Sequence, residues 1–116
     1  MIISIDLNPV LHRKYFLDIL SFSEPNIPNK VIYKPSGSGI DLAYLLNGLN
    51  ENTLFSGFLG GVNGNIIEKQ LKDEDIPNKI YTIKDETAET IVISTENNEE
   101  IIVNSNGPRI TRDELE

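Results

Sequence analysis

A β-rich segment that leads into a glycine and serine turn, and then into a helix, constrains this fold more than any other feature. The segment extends from Val31 to Ala43, and its turn reads Ser-Gly-Ser-Gly. After the turn, leucines recur with the i, i+3, i+4, i+7 spacing of one helix face, at Leu42, Leu45, Leu46 and Leu49. This spacing predicts a helix from about 40 to 49 whose leucine stripe packs against a sheet.

The turn at the start of this helix fits two interpretations. Free backbone N–H groups at the positive end of a helix dipole can bind an anion. The turn contains no basic residue, however, and Asp41 falls in the first helical turn, where its carboxylate satisfies the dipole and repels phosphate. The residues by themselves therefore favour a capped helix start, or a site for a neutral polyol, over a phosphate site.

Strand and helix patterns alternate along the chain. The predicted strands are Ile2–Leu7, Lys14–Leu20, Lys30–Lys34, Thr53–Phe58, Lys79–Ile83, Thr90–Thr95 and Glu100–Asn104. The last two strands read as a hairpin around Asn97 and Asn98, which are turn-prone residues. A second helix is predicted from about 63 to 73, with its buried face at Ile66, Ile67 and Leu71. Strands separated by helices indicate parallel βαβ units and therefore an α/β fold.

Composition and charge narrow the classes of partner. The net charge of −8 disfavours a nucleic-acid surface, because such surfaces are basic. The sequence has no cysteine and one histidine, His12, so a zinc site built from these residues is not expected. The sequence enters its first strand at Ile2 without a basic leader or a long apolar run, which predicts no membrane association. These features predict a cytoplasmic protein.

Several short motifs follow one another in a specific order. They are Leu7 to Leu11, Tyr15 to Leu17, Gly37 with Gly39 and Ile40, Gly57 to Gly61 with Gly64, Glu86 with Thr87, and Asn104 with Gly107 and Pro108. In order and spacing the chain resembles the N-terminal part of the PfkB family of carbohydrate kinases. It is most similar to the branch of the 1-phosphofructokinases and tagatose-6-phosphate kinases.

The resemblance covers the chain from Met1 to Glu116 and implies an incomplete ribokinase-like domain. Its α/β part is expected at about 2–7 and 39–83, and the strands of a small β-sheet lid at about 14–34 and 90–104. The beginning of a helix is expected at 111–116. Thr111 and Glu114 have the spacing of a capping box, which announces a helix although the sequence stops about one turn later. We expect a truncated helix here, and an unstructured tail is the alternative.

The resemblance also implies a set of substrate-binding residues, which are Asn8, His12, Gly37, Ser38, Gly39, Asp41 and Asn104. Three of them differ from the family pattern, which has aspartate in place of His12, lysine in place of Ser38 and asparagine in place of Asp41. Further along, Ala88 and Thr90 replace a phosphate-binding arginine and an asparagine. Phosphate recognition needs charged donors, so the chain lacks them at two positions where the family binds phosphate.

The nucleotide site and the catalytic base of PfkB kinases lie in a later half that these residues do not include. The resemblance therefore implies no catalytic residue, cofactor site or metal site here, with ATP and Mg expected only for a full-length kinase. Two functions remain open. The chain is either the substrate and lid part of a sugar or sugar-phosphate kinase, inactive alone, or a degenerate non-catalytic paralogue that acts as a binding or dimerisation module. The expected partners are a sugar or sugar phosphate and a second copy joined through the lid strands.

The glycine-rich stretch from Gly60 to Gly64 also allows two interpretations. Its backbone N–H groups could approach a ligand, because glycine leaves the backbone accessible. In the family, its glycines mainly shape a turn near the substrate. The sequence leaves both uses open.

Overall fold

In residues 1–115, which the computed structural model describes, seven strands form two sheets and three helices accompany them. The elements are β1 (Ile2–Asp6), β2 (Val10–Phe16), β3 (Lys30–Ser36), α1 (Ser38–Gly48), β4 (Thr53–Gly60), α2 (Gly61–Asp73), β5 (Asn78–Ile83), β6 (Ala88–Ser94), β7 (Glu100–Asn104) and α3 (Arg112–Leu115). One sheet has the strand order β1-β4-β5, and the other has the order β3-β2-β6-β7.

The three-stranded sheet is parallel throughout, with β4 paired to β1 on one side and to β5 on the other. Parallel strands require crossover connections, and α1 and α2 lie in the two crossovers. Both helices and β4 share one core, in which Ile40, Phe55, Ile67 and Leu71 are fully buried. The predicted buried face of α2 is confirmed at Ile67 and Leu71, while Ile66 is partly buried.

The four-stranded sheet is the small sheet that the resemblance predicts to be a lid, and we use 'lid' as its name below. Its two central strands, β2 and β6, are parallel, whereas β3 and β7 pair antiparallel to them at the two edges. Strands β6 and β7 form the hairpin predicted around Asn97 and Asn98, and Asn98 adopts the left-handed conformation with φ 61°. The predicted fold class, a parallel βαβ sheet beside a small β-sheet lid, is therefore confirmed.

The predicted position of the second strand is wrong. The sequence places it at Lys14–Leu20, whereas β2 runs from Val10 to Phe16. The sequence pattern does not reveal this strand, because its residues after Leu11 are all half-buried and do not alternate between buried and exposed. The last ladder bond is donated by the N–H of Leu17 to the carbonyl of Ser94, and the chain leaves the sheet there.

The leucine stripe predicted on α1 does not pack against the sheet. Leu42, Leu45 and Leu49 are 44%, 60% and 63% exposed, and Leu46 is only partly buried. The buried residues of α1 are instead Gly39, Ile40 and Ala43.

Two small residues explain this orientation of α1. Gly39 lies so close to β1 that an added Cβ atom would come within 3 Å of the backbone of Ile5. Ala43 is fully buried on the same face of the helix. Because close helix–sheet contact requires small side chains, the glycine and alanine face the sheet and the leucines point away.

The face of the parallel sheet opposite α1 and α2 is largely uncovered. Ile3, Ile5, Leu7 and Tyr81 are 58%, 64%, 59% and 48% exposed. The short helix α3 contributes Leu115 to a groove beside some of these side chains. The radius of gyration is 16.0 Å, compared with about 13 Å for a globular domain of this length. Parallel sheets are ordinarily covered on both faces, so one layer of the usual three-layer arrangement is lacking in the described residues.

Candidate functional site

The turn between β3 and α1 is organised around the carboxylate of Asp6, the last residue of β1. The backbone N–H groups of Gly39 and Ile40 point at its Oδ2 atom, at 3.2 Å and 3.4 Å. Its Oδ1 atom accepts a hydrogen bond of 3.2 Å from the N–H of Asn8. Asp6 is only 9% exposed. The carboxylate therefore caps α1 and compensates the positive end of its dipole.

Gly37 makes this arrangement sterically possible. Its φ of 140° is one that L side chains rarely adopt, and a Cβ atom on it would overlap the carboxylate of Asp6. The sequence favoured a capped helix start, and the cap is present. The capping residue is Asp6, which sequence reasoning did not identify, whereas Asp41 is exposed on the first turn of α1. The available signal was a charged residue between Ile5 and Leu7 in an otherwise apolar strand.

A second carboxylate caps α2 in the same manner. The N–H groups of Val62 and Asn63 donate to the carboxylate of Glu86, at 3.2 Å and 2.6 Å. Gly61 has φ 68°, and a Cβ atom on it would overlap Glu86. Thr87 accepts a hydrogen bond of 2.9 Å from the N–H of Gly60. These N–H groups of the Gly60–Gly64 stretch are therefore bonded within the protein, which favours its interpretation as a shaped turn.

Four polar residues form one row across the lid. His12 pairs with Lys34 on β3 and with Thr90 on β6, and Thr90 in turn pairs with Asn104 on β7. Thr90 donates a hydrogen bond of 2.9 Å from its hydroxyl to Oδ1 of Asn104. Paired residues of neighbouring strands share a face, so the row presents an imidazole, an ammonium, a hydroxyl and an amide together. Sequence reasoning named His12 and Asn104 as candidates but did not name Lys34.

The opposite face of the lid is attached to α2 through Arg13. Its guanidinium lies 3.0 Å from the carboxylate of Glu89 and donates a 2.6 Å hydrogen bond to the side-chain oxygen of Asn63. It also lies 5.3 Å from the centre of the Tyr33 ring. Asn63 is buried and donates a further bond of 3.1 Å to the carbonyl of Thr87. The bond to Asn63 joins the lid to α2, and the contacts with Glu89 and Tyr33 lie within the lid, so the guanidinium is already paired.

Of the remaining predicted site residues, Ser38 and Asn8 lie next to Asp6, and Asp41 lies in a surface groove. Ser38 begins α1 beside the Asp6 carboxylate and is exposed, and Asn8 lies against Gly107. Asp41 lines a surface groove of about 610 Å³ between β3, α1 and α2, together with Lys34 and Tyr44.

The hydroxyl of Tyr44 in this groove has a perturbed pKa. Burial, and secondarily the charge of Glu74, raise the pKa of Tyr44 to about 12. The phenol therefore stays protonated at neutral pH and can take part only as a neutral hydrogen-bonding group.

Ser38 and Ala88, the two positions where the resemblance predicts phosphate-binding cations, lie at the same end of the lid. Val10, the first residue of β2, pairs with Ser36 on one side and with Ala88 on the other. Ser36 precedes the turn that carries Ser38, and Ala88 is buried. The substitutions that the sequence revealed separately are therefore neighbours in the fold, close to the capped start of α1.

No model of a protein family matches the sequence. Solved structures match the fold closely. A Staphylococcus aureus protein assigned as a phosphofructokinase matches with a TM-score of 0.91 and 23% identity over 99% of this chain and 37% of its own. A Thermotoga maritima protein assigned as a 1-phosphofructokinase matches with a TM-score of 0.83 and 26% identity over 98% and 38%. Ribokinase from Giardia lamblia matches with a TM-score of 0.73 and 20% identity over 92% and 36%.

The chain has the ribokinase-like fold of the PfkB sugar kinases. It spans little more than a third of the length of each of these proteins. The comparisons confirm the fold that the short motifs indicated. Because the identities are low, the roles of individual residues in this ribokinase-like chain, including the seven predicted site residues, stay predictions.

Two further observations concern partners of this ribokinase-like chain. Among residues 1–115, no helix is long and apolar enough to cross a membrane. Within the same residues, no group of three or more His, Asp or Glu side chains is arranged to hold a metal ion.

Proposed function

We propose that this chain is the substrate-binding and lid part of a PfkB-type sugar or sugar-phosphate kinase, and that it does not transfer phosphate by itself. The observation that carries the proposal is the agreement with a phosphofructokinase-like structure over 99% of the chain. The polar lid row and the capped glycine turn add support, because they supply hydrogen-bonding groups suited to sugar hydroxyls. The absence of cysteine from the sequence supports a cytoplasmic location.

The proposed substrate residues are the seven predicted ones: Asn8, His12, Gly37, Ser38, Gly39, Asp41 and Asn104. In this proposal, His12 and Asn104 contact sugar hydroxyls from the lid, and Ser38 and Asp41 do so from α1. Neutral hydrogen bonds of this kind each contribute about 1 kcal/mol, so the isolated chain should bind a sugar with millimolar affinity.

Backbone amide shifts in the nitrogen–proton NMR spectrum test this proposal. We expect fructose or fructose 6-phosphate at about 50 mM to shift the amides around His12 and Asn104 saturably, because millimolar affinity saturates in this range. Asn104→Ala should weaken binding about five-fold, equivalent to one lost hydrogen bond. The matched control Asn97→Ala lies in the exposed hairpin turn and should leave binding unchanged.

A parallel assay with ATP, Mg²⁺ and each sugar should show no phosphorylated product from the 116 residues. If neither sugar shifts a lid amide, the substrate-binding role is refuted. If the chain phosphorylates a sugar, the proposal that it does not transfer phosphate by itself is refuted.

A second candidate function, dimerisation through the lid, is supported by the edge strand β7. All five of its residues are exposed, and Ile101, Ile102 and Val103 are 40%, 61% and 53% exposed. An unprotected apolar edge strand offers free backbone groups to another strand. We expect a dimer by light scattering at about 100 µM, a concentration that populates micromolar complexes.

A lysine substituted into β7 should distinguish dimerisation through this edge strand from nonspecific association. Ile102→Lys should give a monomer, because a charge on an edge strand opposes strand pairing. Leu45→Lys is the matched control, since Leu45 is 60% exposed and belongs to α1 and not to β7. A monomeric native chain, or an Ile102→Lys variant that still dimerises, would exclude the lid interface.

A further inference from the structure

We propose that Asp6 is a specificity-determining residue: its carboxylate occupies the start of α1 and so restricts this end of the site to an uncharged ligand group, such as a sugar hydroxyl. The inference rests on the proposed function in that it names the chemical class of the group accepted there. Three observations, on geometry, charge and the remaining donors, support it.

The first observation is that two hydrogen-bond donors at the start of α1 already point at a carboxylate. A phosphate at a helix start would accept from the free N–H groups of the first turn. Here those of Gly39 and Ile40 point at Asp6, and that of Asn8 donates to its second oxygen. Asp6 is the last residue of β1 and is only 9% exposed, so its carboxylate lies beside the turn and not in solvent. The protein thus carries its own anion where a ligand anion would bind.

The second observation is the sign of the charges around the turn. The carboxylates of Asp6 and Asp41 lie at the first turn of α1, and both repel a phosphate. The nearby positions Ser38 and Ala88 provide no compensating cation. The groove next to the turn is lined by three acidic residues, Asp41, Asp73 and Glu74.

The third observation is what remains available to a ligand. The exposed hydroxyl of Ser38, the hydroxyl of Thr90 and the amide of Asn104 are neutral donors and acceptors. Arg13 is paired with Glu89 and Asn63 on the other face of the lid. A hydroxyl can donate to a carboxylate such as Asp6 or Asp41, whereas a phosphate dianion cannot. The composition of this end of the site therefore suits a polyol.

Chemical rescue with sulfate tests whether the Asp6 carboxylate occupies a position where a ligand anion would otherwise bind. We expect up to about 50 mM sulfate, at ionic strength held constant with NaCl, to raise the Tm of the native chain no more than that of the control variant described below. In Asp6→Ala the freed N–H groups should bind sulfate, and the Tm should rise saturably by about 5 °C if the affinity is in the millimolar range. The amide signals of Gly39 and Ile40 should shift over the same concentrations.

The control variant is Leu71→Val, which destabilises the core but leaves the start of α1 intact. Any rise in its Tm measures the general stabilising effect of sulfate and is subtracted. If Asp6→Ala does not fold without sulfate, Asp6→Ser replaces it, because a serine hydroxyl can still accept one of the N–H groups.

Three outcomes would overturn the proposal. One is a saturable sulfate shift of Gly39 and Ile40 in the native chain. Another is the failure of sulfate to stabilise both Asp6→Ala and Asp6→Ser beyond the control. The third is that fructose 6-phosphate shifts the same two amides in the native chain while fructose does not. The sulfate series needs neither sugar nor nucleotide, so its result is independent of whether the chain binds sugar at all.

Discussion

Replacing one buried and one exposed apolar residue of α1 tests the orientation of this helix directly. Ile40 is fully buried in the shared core, whereas Leu45, which belongs to the leucine stripe, is 60% exposed. The sequence pattern predicts that Leu45 is buried, and the structure assigns burial to Ile40. The two descriptions of the helix therefore give opposite expected results for Leu45→Ala, and Ile40→Ala provides the buried reference.

The magnitudes follow from burial and chain length. Truncating a fully buried isoleucine to alanine costs about 2–5 kcal/mol, and an exposed substitution costs about 0.5 kcal/mol or less. An unfolding entropy of about 2.1 cal/mol/K per residue over 116 residues makes 1 kcal/mol equal to about 4 °C in Tm. Ile40→Ala should then lower the Tm by about 8–20 °C. Leu45→Ala should lower it by about 2 °C or less.

Thermal unfolding followed by far-ultraviolet circular dichroism measures both values, and repeating it at two protein concentrations separates folding from self-association. Ile40→Val provides an internal scale, since removing one methylene group costs about 0.5–1.5 kcal/mol. If Leu45→Ala lowers the Tm as much as Ile40→Ala does, the leucine stripe is buried in solution and the orientation of α1 described here is wrong.

Two further predictions concern a glycine and a tyrosine. Gly61→Ala should destabilise the protein by about 1–3 kcal/mol, because Gly61 has a positive φ and an added Cβ would overlap Glu86. Gly48→Ala should stabilise it by about 0.5–1 kcal/mol, because the space around the new Cβ is open. Urea unfolding measures both values, and the opposite order of stabilities would contradict the prediction. Because burial raises the pKa of Tyr44 to about 12, its contribution to stability should be complete below pH 10, where an unfolded tyrosine ionises, and be lost as pH rises through 12. A spectrophotometric titration should show one tyrosine that ionises late, and Tyr44→Phe should remove that step; a late step that persists in the variant would refute the assignment.

Elements with local signals could be predicted from the sequence. The capping box is one example, since Thr111 and Glu114 exchange the expected hydrogen bonds at the start of α3. The β6–β7 hairpin is another, because a pair of turn-prone asparagines specifies it within a few residues. The motif order identified the ribokinase-like fold, since it samples the whole chain instead of one turn.

Features that depend on distant residues could not be predicted in this way. The orientation of α1 is set by the close approach of Gly39 to Ile5, and a helical periodicity contains no information about that contact. The row that joins His12 to Asn104 requires the register of three strands, which a single sequence does not specify. Asp6 caps a helix 33 residues away, so its role becomes visible only in the folded chain.

The helices α1 and α2 are capped by carboxylates from outside the helix, those of Asp6 and Glu86, and this affects how the chain folds. Both helices begin after a glycine, and neither has a side-chain cap of its own at the N-cap position. Helix nucleation is unfavourable, so α1 lacks a stabilised first turn until Asp6 is in place, and α2 lacks one until Glu86 arrives from beyond β5. A peptide of either helix should therefore be mostly unstructured in water, and the helices should form together with the sheets in one cooperative transition.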